Sequence, residues 1–156
     1  MANEINYMQR AIDLSKKSLA CGGGPFGAVI VKNDEIVGEG MNCVVSKNDP
    51  TAHAEIVAIR MACERLATFN LSGSIIFTSC EPCPMCLSAI WWARIDKIYY
   101  GNTRHDAAGI GFDDADIYNE IAVENVKRRL PLLQLMHSES IKVFQEWAEI
   151  EKKHMY

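Results

Sequence analysis

The chain has 156 residues, 49 % of them hydrophobic and 23 % charged, which is the size and mix of one globular domain able to bury a core without disulfide support. Its apolar runs are only a handful of residues long, too short to span a bilayer, and the first ten residues are too polar for a secretory signal. Sixteen basic residues against twenty acidic ones leave a net charge of −4, so no overall electrostatic attraction to nucleic acid is expected. Six cysteines without an export signal point to a reducing, cytoplasmic location and not to a disulfide framework.

Ile5, Met8, Ile12 and Leu19 share a helical face and predict an amphipathic helix over residues 3–20, ended by Gly22-Gly23-Gly24-Pro25. Residues 26–32 and 35–42 read as strands joined by an Asn33-Asp34 turn. A second helix is expected over 52–66 with Ile56, Ile59, Cys63 and Leu66 facing inward, then a strand at 74–79, a helix at 83–93 and a strand at 97–100. Residues 101–116 read as a long polar loop of the kind that often carries function. A short helix at 117–121, a strand at 132–136 and a final helix at 140–155 complete the chain. No repeat or linker divides it, so residues 1–156 are read as one domain. Strands alternating with helices after Ala52 predict parallel crossovers with helices on both sheet faces. The expected fold is α/β, a three-layer α/β/α domain with a central mixed five-stranded sheet.

The chemistry concentrates in His53-Ala54-Glu55 and, one strand later, Pro82-Cys83-Pro84-Met85-Cys86. Each piece alone is ambiguous, since HxE arises by chance and Cys-x-x-Cys serves zinc or redox chemistry. Together, each at the start of a predicted helix in one crossover unit, they form the signature of zinc-dependent nucleobase deaminases. Cys83 and Cys86 are three residues apart and share a face of a helical turn, so two thiolates can hold one ion. The helix start lowers thiol pKa through its free N–H groups and positive dipole end. His53 completes three protein ligands and leaves a tetrahedral position for water, the pattern of catalytic zinc. A fourth thiolate from Cys80 would close that shell, so Cys80 is read as a structural thiol. Cys21, Cys43 and Cys63 stand alone and are read as small hydrophobes.

On these motifs the chain resembles the cytidine deaminase superfamily and, within it, the short bacterial guanine deaminases. The likeness runs through Gly24-Pro25-Phe26-Gly27-Ala28-Val29, Asn42, Asp49-Pro50-Thr51-Ala52-His53-Ala54-Glu55 and Thr78-Ser79-Cys80-Glu81-Pro82-Cys83-Pro84-Met85-Cys86. It continues into Gly111-Phe112-Asp113-Asp114 and the terminal Tyr156, and these last two blocks are the ones that point to guanine. The resemblance implies a cytidine deaminase-like fold and one zinc ion per subunit, with a bound water or hydroxide, on His53, Cys83 and Cys86. It implies that Glu55 is the catalytic proton shuttle. It also implies contacts to a purine base from Phe26, Asn42, Ala54, Asp114 and Tyr156, and a homodimer that exchanges C-terminal segments. Trp91 and Trp92 are adjacent and face different ways on a helix; Trp92 is assigned to the pocket wall. Read from spacing alone, Phe26 serves equally well as a strand-start core residue and Asn42 as a turn residue.

The expected reaction is hydrolysis of guanine to xanthine and ammonia. A tRNA wobble-adenosine deaminase shares the zinc motif, but an RNA-binding end should be basic. Residues 101–156 carry seven Lys/Arg against ten Asp/Glu, a net of −3. A free cytosine deaminase is the second alternative and would need a smaller pocket. A noncatalytic zinc-stabilised interaction subunit has no use for Glu55. Lys127-Arg128-Arg129 reads as an exposed charged run, and His105, His137 and His154 lack ligand spacing. No membrane or nucleic-acid partner is expected.

Overall fold

The computed structural model describes residues 2–112 and 114–155. Helix α1 (Ala2–Ala20) leads into strands β1 (Gly27–Lys32) and β2 (Glu35–Met41), a single turn α2 (Val44–Lys47) and α3 (Ala54–Leu66). Then come β3 (Ser74–Cys80), α4 (Pro84–Trp92), β4 (Lys97–Asn102), α5 (Arg104–Gly109) and α6 (Asp114–Ile121). A 3-10 turn at Asn125–Lys127 precedes α7 (His137–Ala148). Asn33 and Asp34 both adopt positive φ, 51° and 62°, the conformation a two-residue hairpin turn needs to match strand twist.

The strand order is β2-β1-β3-β4. β1 runs antiparallel to both β2 and β3, and β4 runs parallel to β3, the relation that a helical crossover through α4 produces. The sheet is therefore mixed, but it has four strands among the described residues and not the expected five. Residues 132–136 are the difference. Leu133 and Leu135 are 78 % and 85 % exposed, and the segment joins no ladder. Its apolar side chains give it strand propensity, yet a strand persists only where an edge accepts its backbone groups, and among the described residues it lies on none.

Residues 101–116 are likewise not one loop. The Thr103 hydroxyl accepts from the Asp106 N–H at 3.2 Å while Asp106 Oδ2 accepts from the Thr103 N–H at 2.7 Å, a reciprocal capping box that starts α5. The final helix ends at Ala148, well short of the expected 155.

Helices cover both faces of the sheet. On one, Ala11 and Leu14 of α1 pack on Val29, Val31 and Phe77. On the other, Ala54, Ala58 and Ala62 of α3 and Ile90 of α4 pack on Ala28, Ile30 and Ile76. The buried stripe of α3 is thus alanine, and the larger Ile59, Cys63 and Leu66 sit at the margin of the core. The reason lies in β2. A Cβ on Gly40 would run into the Ala54 carbonyl oxygen and stand 2.7 Å from the Ala58 nitrogen, and one on Gly38 would run into the Ala58 carbonyl oxygen. With no side chain on the strand at these points, α3 lies directly on backbone, and only alanines fit between. That close seat fixes the start of α3, where His53 and Glu55 stand.

Candidate metal centre and active site

His53 and Cys83 are the N-cap residues of α3 and α4, both extended at φ −65°. Pro84 occupies the first turn of α4, where its missing N–H leaves no hydrogen bond unmade. The two helix starts converge beyond the carboxyl end of β3. Cys83 Sγ and Cys86 Sγ lie 3.6 and 3.5 Å from His53 Nδ1, and the three atoms are within 4.8 Å of one another. A tetrahedral zinc ion, with bonds of about 2.3 Å to sulfur and about 2.05 Å to nitrogen, separates such ligands by about 3.6 Å. The donor set fits zinc, and three ligands leave the fourth position open.

The electrostatics agree with that geometry. Hydrogen bonds from Cys86 and His53 pull the Cys83 thiol down to about 4 against the opposing cost of burial. The hydrogen bond that Cys86 gives to Cys83, together with burial, pushes its own thiol up. The Cys83 thiolate in turn raises His53. The pair thus loses one proton readily and shares the other. Glu55, in the first turn of α3, is buried, and desolvation raises its carboxyl to about 7. Phe26, Asn42 and Asp114 line one cavity with His53, Glu55 and Cys83. The Asn42 Oδ1 accepts from the Val44 N–H at 3.2 Å, which leaves the amide N–H2 as its donor end.

The cytidine and deoxycytidylate deaminase zinc-binding region, as a family, matches residues 1–102. The chain belongs to this zinc-binding deaminase family. It is similar to the guanine deaminase of Bacillus subtilis, 46 % identical over 155 residues and 99 % of each chain. The X-ray structure of guanine deaminase from Bacillus subtilis superposes with a TM-score of 0.93 at 47 % identity, covering 97 % of both chains. The tRNA-specific adenosine deaminase of Haemophilus influenzae is 36 % identical over 122 residues, 74 % of this chain and 70 % of its own length.

Not every residue expected at the site of this deaminase stands there. Ala54 is fully buried at the first position of α3, between His53 and Glu55. Trp92 is away from the cavity. Nine residues of helix separate it from Cys83, a rise of about 13 Å, and it instead lines a groove with Phe144 and Trp147 of α7. Asp113 and Tyr156 lie outside the described residues. Cys80 is absent from the ligand cluster. Its thiol lies 3.6 Å from the Thr103 carbonyl oxygen, which it donates to, and burial raises it to about 11, so it stays protonated.

Two lining residues were not singled out by sequence reasoning. Phe112 meets Phe26 edge to face, ring centroids 4.8 Å apart at 82°. Glu81 borders the same cavity and accepts from Arg104 twice, from its main-chain N–H and its guanidinium, both at 3.0 Å. Glu81 immediately precedes the Pro82-Cys83 motif, and that adjacency was the available signal.

Proposed function

We propose that this deaminase hydrolyses guanine to xanthine and ammonia in the cytoplasm. The observation that carries the reading is the presence of Asp114 in the same cavity as the metal ligands and the buried Glu55. With the C2 amino group of guanine directed at the metal centre, the neighbouring ring N1–H needs an acceptor. A carboxylate supplies one through a charge-assisted bond, whereas adenine presents a lone pair at N1 and is rejected. The near-full-length likeness to a guanine deaminase supports this choice over the tRNA reading. All six cysteines are free, as suits a reducing compartment. No helix among the described residues is long and apolar enough to cross a membrane.

His53, Cys83 and Cys86 would hold a zinc ion, which would supply Lewis-acid activation of a water as the nucleophile. Glu55 accepts the proton of the attacking water and delivers it to the ring nitrogen beside C2; as the C2–N bond breaks it takes the proton of the newly added C2 hydroxyl and passes it to the departing amino group, leaving the C2 carbonyl of xanthine and free ammonia. Burial raises its carboxyl to about 7 in the metal-free site, which brings proton exchange on it toward neutrality. Asn42 donates its amide to the base, the N–H of Ala54 at the helix start is a second donor, and Phe26 packs on the ring. Phe112, edge to face with Phe26 at 4.8 Å, lines the same cavity and forms a second aromatic wall beside the base.

The working unit in this reading is a homodimer that exchanges C-terminal segments. α7 buries none of its residues, while Phe144 and Trp147 face an open groove with Trp92. A second copy would cover these apolar side chains and bring its Tyr156 to the site.

The test is ammonia release from purified, zinc-loaded protein given guanine, adenine, cytosine, guanosine and tRNA in parallel. Guanine should have the highest kcat/KM, with xanthine as product. A higher kcat/KM for cytosine or for tRNA adenosine would overturn the assignment.

A further inference from the structure

We propose that Tyr118 is a positioning residue that holds Asp114 against the base, so that guanine affinity depends on a hydroxyl that never touches guanine. The inference rests on the guanine reading above. Asp114 and Tyr118 are four residues apart on α6 and so share a helix face. The Tyr118 hydroxyl donates to the Pro82 carbonyl at 2.9 Å, and Pro82 immediately precedes the ligand Cys83. One turn of helix therefore links the base-reading carboxylate to the loop that carries the metal.

The link is braced from the side. The Arg104 guanidinium lies 4.2 Å from the Tyr118 ring centroid and pairs with Glu81 at 3.0 Å, while the Arg104 N–H bonds the other Glu81 oxygen at 3.0 Å. Two consecutive residues, Glu81 and Pro82, thus hold α5 and α6 respectively, and Arg104 ties the two grips together. α6 has no buried residue, so core packing does not fix its place; polar contacts of this kind do. Half-burial raises the Tyr118 hydroxyl further above its ordinary range, so it is a donor throughout the neutral range. A recognition group has to be held to a fraction of an ångström to act on a substrate. The Pro82 carbonyl lies one residue before the ligand Cys83, so the loop that carries the metal ligands is also the point from which α6 is held.

Tyr118→Phe keeps the ring under Arg104 and removes only the hydroxyl. In zinc-loaded protein it should raise KM for guanine roughly three- to ten-fold, the share of one ordinary hydrogen bond, and change kcat less than about two-fold, as loss of uniform binding does. Zinc content and melting temperature should stay close to the parent. The decisive arm is the double variant. In an Asp114→Ala background, Tyr118→Phe should have no further effect on KM, because the residue it positions is gone. An equal factor in both backgrounds would overturn the proposal, as would an unchanged KM, an unchanged response to Asp114→Ala, or loss of zinc or of the fold in Tyr118→Phe. A parent protein that releases no ammonia from guanine would overturn the functional reading and this inference with it. A guanine-active parent with additive variants would overturn the inference alone.

Discussion

Gly40→Ala tests whether the seat of α3 on the sheet sets the catalytic geometry. The added methyl would collide with the Ala54 carbonyl oxygen and stand 2.7 Å from the Ala58 nitrogen and 3.0 Å from the Ala54 carbonyl carbon. These are backbone atoms of the first turns of α3 and cannot rotate away. Restoring ordinary contact requires the start of α3 to move by about 1 Å. Overpacking of this sort costs about 1–3 kcal/mol, and in a domain of this size each kcal/mol lowers the melting temperature by roughly 2–4 °C. The larger consequence is catalytic. Ala54 lies between His53 and Glu55, so the shift carries a metal ligand and the proton shuttle away from Cys83 and Cys86. A 1 Å misplacement can cost about 100-fold in rate. We expect kcat/KM to fall by about two orders of magnitude, with weaker zinc retention on dialysis against a chelator. Gly38→Ala is the control. Its methyl would strike the Ala58 carbonyl and approach Ala62 Cβ at 2.9 Å, further along α3, so it should cost similar stability and distinctly less activity. Parental melting and kcat/KM in Gly40→Ala, or an equal activity loss in Gly38→Ala, would refute the argument.

Three further outcomes are expected. Cys83→Ala should lose zinc and melt earlier, because metal binding is coupled to folding, whereas Cys80→Ala should keep stoichiometric zinc by elemental analysis; full zinc in Cys83→Ala would sink the ligand assignment. In chelator-treated protein, burial places the Glu55 carboxyl at about 7 against an ordinary 4.5, so the folded form binds that proton more tightly than the unfolded chain. The associated stability is fully present below pH 4.5 and is lost as pH rises through 7, by up to about 3 kcal/mol. Glu55→Gln should flatten that part of the denaturation-against-pH curve while abolishing most turnover, and an unaltered curve would contradict it. Deleting the last four residues should cut activity sharply with zinc still bound, and a fully active monomer by light scattering would exclude a shared site.

The metal centre was legible because its information is local. Two ligand motifs, each at a helix start, need only the intervening strand to bring them together, and both spacing and strand could be read off the chain. The inner face of α3 was misread because hydrophobicity favours Ile56, Ile59, Cys63 and Leu66, whereas the fully buried apolar residues are Ala54, Ala58 and Ala62. What selects alanine is on another element, in Gly38 and Gly40 of β2. The helix α5 carried a signal that went unread, the Thr103-x-x-Asp106 capping box. Glu81, Arg104 and Tyr118 meet across sequence separations of 14 to 37 residues, and no spacing rule connects them.

The strand expected at residues 132–136 failed for a reason that bears on function. The family match ends at residue 102, and by that point the sheet, α1, α3, α4 and all three metal ligands are complete. The last third of the chain adds almost nothing to the buried core; Ala107 is the one buried hydrophobic described after residue 102. This later segment is therefore free to change without unmaking the metal centre. It is also where Phe112, Asp114 and Tyr118 reside, two of them lining the cavity and the third bonded to the metal-bearing loop. In the proposed reading, proton transfer belongs to the first part of the chain, with the core and the metal ligands, and choice of base to the last third. The apolar pattern Leu132-Leu133-Gln134-Leu135-Met136 pairs with no strand among the described residues and leaves its leucines exposed, so the homodimer proposed above would give it the cover that the core of one copy does not.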